Sequence, residues 1–475
     1  MDQTAWPDPD FYSAPRRGYH SLRGGLSYGS PAGEPILSLP VLERLSIRQL
    51  TGFAMVRTRK RSITGRAAGS ATPVQRWSID GLEYDDRVGA VRSELERRQL
   101  DGLVLFHPIR MAWVSGFFHL STERPMAIVI RRDGGMGGLI PHLEVGHFSK
   151  ARGITHTEVY PEYPTGGGRH PMAHFGELLS AMKLNGKGIR LGYDNNGYLD
   201  INGYDGPLLS DVVGDQVACV PARDVIDRLR AVKSDSELRL ISESCVWGNL
   251  AHRLMHDAIA EARGAMEVWL EASHKASQMM VASLGPDYQP MTTAFGLPAL
   301  ANFTAGSTTS DPHALSSAMA LRKGDLLVTY SGADVGGYVS ELERTMFLGD
   351  PGKDGANHFE SMLLLQQVAF DAIRPGRTFA EVEAEVREAF TELKLIDYQR
   401  HHTGHGIGLE GHEWPFIDLG SEDVIEERMV LSVEPGFYIP GVGGFRHSDT
   451  VVVRSAGVER LTWYPRDLER LTVKA

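Results

Sequence analysis

The sequence predicts a mixed α/β chain with two folded domains behind an atypical N-terminal arm. Three observations carry this reading. From about residue 76, amphipathic helical stretches alternate with short apolar runs, a pattern that packs helices against a sheet. In the C-terminal half, helices alternate with pairs of apolar runs joined by Gly-rich turns, the mark of hairpins. The length of 475 residues, with 42% hydrophobic and 23% charged residues, suits a globular chain of two or three domains.

Residues 1–75 are rich in Pro, Gly, Ser and Arg without a sustained period, and carry a basic cluster at Arg57, Arg59, Lys60 and Arg61. A solvated, partly ordered extension is the reading for this arm. The first domain is expected over residues 76–225. Tyr84 to Gln99 forms a helix, because Val88, Val91 and Leu95 recur at three and four. Asp101-Gly102 breaks it, Leu103 to Phe106 is a buried strand, and Met126 to Ile130 is a second strand closed by Arg-Arg-Asp-Gly-Gly. Another strand runs into Tyr193 from Gly188.

The second domain is expected over residues 226–475, entered through a linker and helix between Arg223 and Ser242. Leu326 to Ser331 and Tyr338 to Leu348 form one strand pair. Met429 to Tyr438 and Phe445 to Val453 form another, joined by residues 440–444. Thr378-x-x-Glu381 has the form of a capping box, with a helix to about Leu393.

Charge and cysteine usage bound the function. A net charge of −11 and a pI of about 5.9 argue against nucleic acid as a main partner. Cys219 and Cys245 are the only cysteines, too few for a disulfide framework, so a reduced cytoplasmic setting is expected. No apolar run reaches membrane-spanning length, and the N-terminus lacks the layout of a signal peptide.

Four stretches carry the chemistry: Asp311-Pro312-His313; Gly324 to Thr345; Gly404-His405-Gly406-Ile407-Gly408 with His412-Glu413; and Val433-Glu434-Pro435-Gly436. On paired strands, alternate side chains share a face. Residues 330 and 341, and 434 and 448, are spaced to meet across the two hairpins. These stretches resemble the creatinase / aminopeptidase P / methionine aminopeptidase family of pita-bread fold. The resemblance implies a creatinase-type N-terminal domain and a C-terminal pita-bread domain. Most members hold two divalent cations with two Asp, one His and two Glu. Those five positions here read Tyr330, Glu341, His405, Glu434 and Ser448. Two carboxylates and one imidazole suit at most a single ion with an open position.

The stretch Glu341-Leu342-Glu343-Arg344-Thr345 resembles metal-free creatinase instead. That resemblance implies a site without metal or other cofactor. In it, His313 serves as acid and base, Glu343 and Glu434 bind a cationic substrate group, and His412 belongs to the catalytic set. A structural ion pair of Glu343 with Arg344 or another base is the alternative for that residue. Arg124 is expected to reach the neighbouring site of a homodimer. Tyr330, Glu341, His405, Phe416 and Ser448 line the substrate. The function expected is metal-independent hydrolysis of a C–N bond in a small cationic amino-acid derivative, such as a guanidino or amidine compound. The alternatives are an Xaa-Pro-type metallopeptidase with a reduced metal site, a lyase, and a binding protein without catalysis.

Overall fold

The computed structural model describes residues 77–163, 168–199, 203–291 and 296–475; the arm expected over 1–75 lies outside them. Helix α1 (Gly81–Arg97) starts a few residues before the expected point, because the Asp80 side chain accepts from the Leu82 amide and caps it. Its buried face carries Val88, Val91 and Leu95.

The first sheet has six strands: β1 (Gly102–Leu105), β2 (Ala127–Arg131), β3 (Met136–Pro141), β4 (Ile154–Tyr160), β5 (Arg190–Tyr193) and β6 (Ala218–Pro221). Their order is β4-β3-β2-β1-β5-β6. β1 and β3 are buried along their whole length, as central strands covered on both faces should be. Helices α2 (Pro108–Ser115) and α3 (Pro171–Ala181) supply part of that cover.

The segment expected to lead into the second domain is two helices, α4 (Asp224–Ala231) and α5 (Asp235–Ala258), interrupted at residues 232–234. Ser234 and Glu237 form a reciprocal capping box at the start of α5, a Ser-x-x-Glu signal that sequence reasoning passed over. The Thr378/Glu381 box is present at α8 (Phe379–Glu392). Helices α6 (Ala265–Leu284) and α7 (Gly352–Ala372) complete the main helical set.

The second sheet has ten strands. Its main path runs β12 (Glu413–Ile417), β11 (Gly404–Gly406), β13 (Val430–Val433), β16 (Ser448–Arg454), β10 (Leu342–Leu348), β8 (Leu326–Val335) and β7 (Ala299–Ala305). β9 (Tyr338–Val339), β17 (Gly457–Arg460) and β18 (Thr472–Val473) attach to β8, β16 and β10. A separate hairpin joins β14 (Gly436–Ile439) to β15 (Gly443–Arg446).

Two expected strands are divided. The run from Tyr338 to Leu348 breaks at Ser340 and Glu341, where the Thr450 hydroxyl accepts from the Glu341 amide at 2.9 Å and donates to its carbonyl at 2.9 Å. The run from Met429 to Tyr438 breaks at Glu434 and Pro435, so its halves join different partners. The turn between β8 and β9 needs its glycines: Gly336 and Gly337 have φ of 61° and 87°, and a Cβ on Gly336 would lie 2.4 Å from the Trp77 carbonyl oxygen.

Two buried polar clusters tie the sheets together. Arg87 of α1 meets Glu237 of α5 at 3.1 Å, and the Tyr338 hydroxyl donates to the same carboxylate at 2.7 Å. Lys233 reaches Glu413 of β12 at 2.5 Å, and Arg230 donates to the other oxygen of that carboxylate.

Candidate active site

The period of two along a strand decides which side chains gather. Glu343 lies opposite Tyr330 on one side and Ser448 on the other, so these three form a row across β8, β10 and β16. Glu341 is two residues before Glu343, and Arg446 two before Ser448. Thr450 pairs with Ser432, and Ser432 pairs with His405; Glu434 is two residues beyond Ser432. Tyr330, Glu343, Ser448, Thr450, Ser432 and His405 therefore share one face of the sheet, and Glu341, Glu434 and Arg446, beyond the ends of those strands, join them by direct contact. Arg344 and Asp449 point the other way and form an ion pair at 2.8 Å with no exposure on either side chain.

The eleven-residue spacing from 330 to 341 does not place those residues opposite each other. The register runs unbroken from Val335 opposite Tyr338 at the turn to Ser331 opposite Leu342, so residues thirteen apart face each other here and Glu343 is the partner of Tyr330. Glu341 instead turns toward β13 and β16, where the hydroxyls of Ser448, at 2.7 Å, and Ser432 both donate to Oε1.

His405 is fully buried, with Nδ1 3.0 Å from the Gly406 carbonyl oxygen. Its Nε2 lies 3.1 Å from Glu434 Oε1, yet makes no well-aligned hydrogen bond. The His412 ring stacks on His405 with centroids 3.8 Å apart. One donor atom from each of Glu341, His405 and His412 lies within 4.8 Å of the others, and the same holds for Glu341, Glu343 and Glu434.

The electrostatics follow from crowding. Burial alone would lower the His405 pKa, but Glu434 and Glu341 reverse that and hold it at about 9. Burial and the neighbouring carboxylates push Glu343 up, against the pull of the Arg446 guanidinium. Burial and Glu434 raise Glu341. Glu434 stays well below the usual carboxylate range, since His405 and Arg446 outweigh its burial. Burial and the His405 charge lower His412 to about 4. Burial, reinforced by Glu341, pushes the Tyr330 phenol well above its ordinary range.

Several expected roles change. Glu343 does not offer its carboxylate to a substrate cation: Arg446 Nη2 donates to Oε1 at 2.5 Å and Nε lies 2.5 Å from Oε2. The base that pairs with it is Arg446, not Arg344. His313 lies in an exposed segment and adds to the positive field that lowers His412. Arg124 is held by Glu123 and by Glu162, the latter at 2.7 Å. Phe416 lies opposite His405 on the neighbouring strand and packs its ring edge-on to His402 at 5.6 Å. Arg446 and Ser432 were missed; counting back two residues from Ser448 and from Glu434 would have found them.

The donor set answers which metal load the residues suit. A phenol at 330 and a hydroxyl at 448 replace two of the five anionic or imidazole ligands that a two-ion site uses, and neutral hydroxyls are weak substitutes. That set does not fit two ions. The buried Nε2 of His405 with Glu341 and Glu434 fits one, with His412 beside them.

The sequence pattern of metallopeptidase family M24 matches residues 243–455, and that of the creatinase/prolidase N-terminal domain matches residues 87–232. An Xaa-Pro dipeptidase of Pyrococcus furiosus is 34% identical over 245 residues, which are 52% of this chain and 67% of that protein. The uncharacterized peptidase YqhT of Bacillus subtilis is 30% identical over 304 residues, 62% of this chain and 80% of that one. Among solved structures, dipeptidase PepE of Mycobacterium ulcerans superposes with a TM-score of 0.70 at 27% identity, over 84% of this chain and 100% of that one. The prolidase of Pyrococcus horikoshii does so with a TM-score of 0.65 at 25% identity, over 81% and 99%.

These relatives overturn the expectation of a metal-independent, creatinase-like guanidino or amidine hydrolase. The likeness runs to dipeptidases of a metallopeptidase family, and Glu343, one of the two residues expected to bind the substrate cation, is already paired with Arg446. By its two matched domains, its fold and its relatives, the chain belongs to metallopeptidase family M24.

Proposed function

We infer that the protein is an Xaa-Pro-type peptidase acting through a reduced, one-ion site. The observation that carries this reading is the buried meeting of Glu341, His405 and Glu434: His405 Nε2 lies 3.1 Å from Glu434 Oε1, and Glu341 has a carboxylate oxygen within 4.8 Å of a donor atom of each. The names of the relatives supply the substrate class. When bound, a divalent ion supplies Lewis-acid stabilisation of the charge that develops on the scissile carbonyl oxygen.

The chain's own groups do the rest. Ser432 and Ser448 fix the rotamer of Glu341 through two hydrogen bonds. The Gly406 carbonyl orients His405 so that Nε2 faces the carboxylates. His412, neutral at pH 7, offers one hydrogen bond to the peptide at the open side of the site. His402 and Phe416 form an aromatic flank beside His405 that suits an apolar ring. A homodimer in a reducing, cytoplasmic setting is part of the same reading. The two cysteines are free, and no helix among the described residues is long and apolar enough to cross a membrane.

The test is hydrolysis of Xaa-Pro dipeptides by the purified protein after incubation with Mn, Co or Zn. Turnover that a chelator abolishes, and that His405→Ala lowers by about a hundredfold or more, is expected. Turnover untouched by chelator, or no turnover by protein carrying a bound ion, would overturn the reading.

A further inference from the structure

We propose that the half of the site bearing Tyr330 and Ser448 is closed to a second ion by a resident ion pair, Arg446–Glu343, so that each chain takes one divalent cation. The inference rests on the one-ion reading above and deepens it by assigning Glu343 and Arg446 a joint role.

Geometry gives the first argument. Tyr330, Glu343 and Ser448 are lateral neighbours on three adjacent strands. The two positions that lack carboxylates therefore flank the one position on that row that has gained one. The carboxylate in the middle is not free. Its Oε1 accepts from Arg446 Nη2 at 2.5 Å, and Oε2 lies 2.5 Å from Nε without an aligned hydrogen bond, a close, charge-assisted ion pair. The Tyr438 hydroxyl, 3.0 Å from Arg446 Nη1, holds the far side of that guanidinium, and His401 Nε2 lies 2.8 Å from the same hydroxyl. The guanidinium is thus fixed from several directions in a place with little exposure.

Charge gives the second. With an ion bound, its ligand His405 must be neutral, and the buried face then carries three carboxylates, Glu341, Glu343 and Glu434, against the single guanidinium of Arg446. Glu343 and Arg446 cancel, and the two remaining negative charges match one divalent cation. A second ion would add two positive charges beside Arg446 with no carboxylate left to answer them, and burying uncompensated charge is costly.

Chemistry gives the third. The groups on the row that a second ion would need are a phenol, whose ordinary pKa is about 10, and a serine hydroxyl already donating to Glu341. Neither is an anionic ligand at pH 7.

The experiment counts ions without using activity. Full-length protein is loaded with excess Mn(II), desalted, and measured by mass spectrometry and by electron spin resonance. One ion per chain with an uncoupled signal is expected. The triple variant Tyr330→Asp/Glu343→Thr/Ser448→Glu, which returns carboxylates to both ends of the row and removes the one in the middle, should double the count and show spin coupling. Two ions in the unmodified protein would overturn this inference and leave the peptidase reading standing. No ion at all would overturn both. A folded triple variant that still holds one ion would overturn the inference by itself. Should the triple variant fail to fold, the count in the unmodified protein decides alone.

Discussion

Arg344 and Arg446 show how one residue's direction decides its part in the molecule. Arg446 faces the site, whereas Arg344 lies on the opposite face with Asp449, whose other donors are Thr462 at 2.7 Å and Gln366 at 3.1 Å. Arg344→Ala would leave that buried carboxylate with Arg466, 3.9 Å away, as its remaining ion-pair partner, and a loss of about 3 kcal/mol in denaturant-measured stability is expected. A loss below about 1 kcal/mol would show that Asp449 is satisfied without it. His252 makes a second case. It is fully buried, it bonds Thr329 Oγ1 at 2.8 Å, and burial with Arg344 nearby lowers its pKa well below 6.5. A depressed histidine pKa means that the unfolded chain takes the proton first. Its contribution is therefore intact above pH 6.5 and fades as pH falls below that value. The slope is up to about 1.4 kcal/mol per pH unit. Urea midpoints at pH 7.5 and 5.5 should converge in His252→Asn relative to the parent; equal slopes would sink the argument. At this scale the sequence exposes Glu341, His405 and Glu434, because their motifs are distinctive. It hides the Glu343–Arg446 pair, because residues 103 apart meet only through a register that spacing does not reveal.

The element that carries His405 explains the glycines around it. A Cβ on Gly404 would sit 2.1 Å from the Ser432 carbonyl oxygen, one on Gly406 2.7 Å from the Glu413 and Trp414 carbonyl oxygens, and one on Gly408 2.7 Å from the Glu413 carboxylate. Backbone cannot yield as a side chain tip can, so β11 tolerates no Cβ at 404 or 406, on either side of His405. Gly404→Ala should push His405 out of line, cost about 1–3 kcal/mol and lower metal retention at least tenfold. Gly411→Ala, whose Cβ meets nothing within 4 Å, should change neither. Equal behaviour of the two would refute the steric account. Helix ends are simpler: Thr378→Ala removes a side-chain acceptor from the Glu381 amide, and a loss of about 1 kcal/mol is expected from chemical denaturation. Helices and strands were legible from their periods at α1, α8 and the paired strands of the second sheet. The breaks at Glu341 and Glu434 were not, since they come from a threonine clamp and a partner change that depend on distant strands.

Across the whole molecule, the two sheets meet through charge as well as apolar packing. Glu413 follows His412 in the chain and is fully enclosed by Lys233 and Arg230, which come from α4 and the residues just after it. Glu413→Gln would leave Lys233 facing an amide and Arg230 with Glu410 alone, 2.9 Å away, and about 3 kcal/mol of stability should be lost, read as a fall in the midpoint of unfolding. Little change would mean that solvent reaches the cluster. The two-domain order of the chain was readable from its alternating pattern, but this link was not, because nothing in the Lys233 segment announces a partner 180 residues away. The link also bears on how such a protein can be divided. The half that holds the active-site sheet depends on two positive charges encoded ahead of it. A fragment beginning at α5 would carry a buried carboxylate with nothing to neutralise it, next to the histidine at the mouth of the site. The peptidase half is therefore not a portable cassette: inheritance, grafting or expression must carry the residues from Arg230 onward along with it.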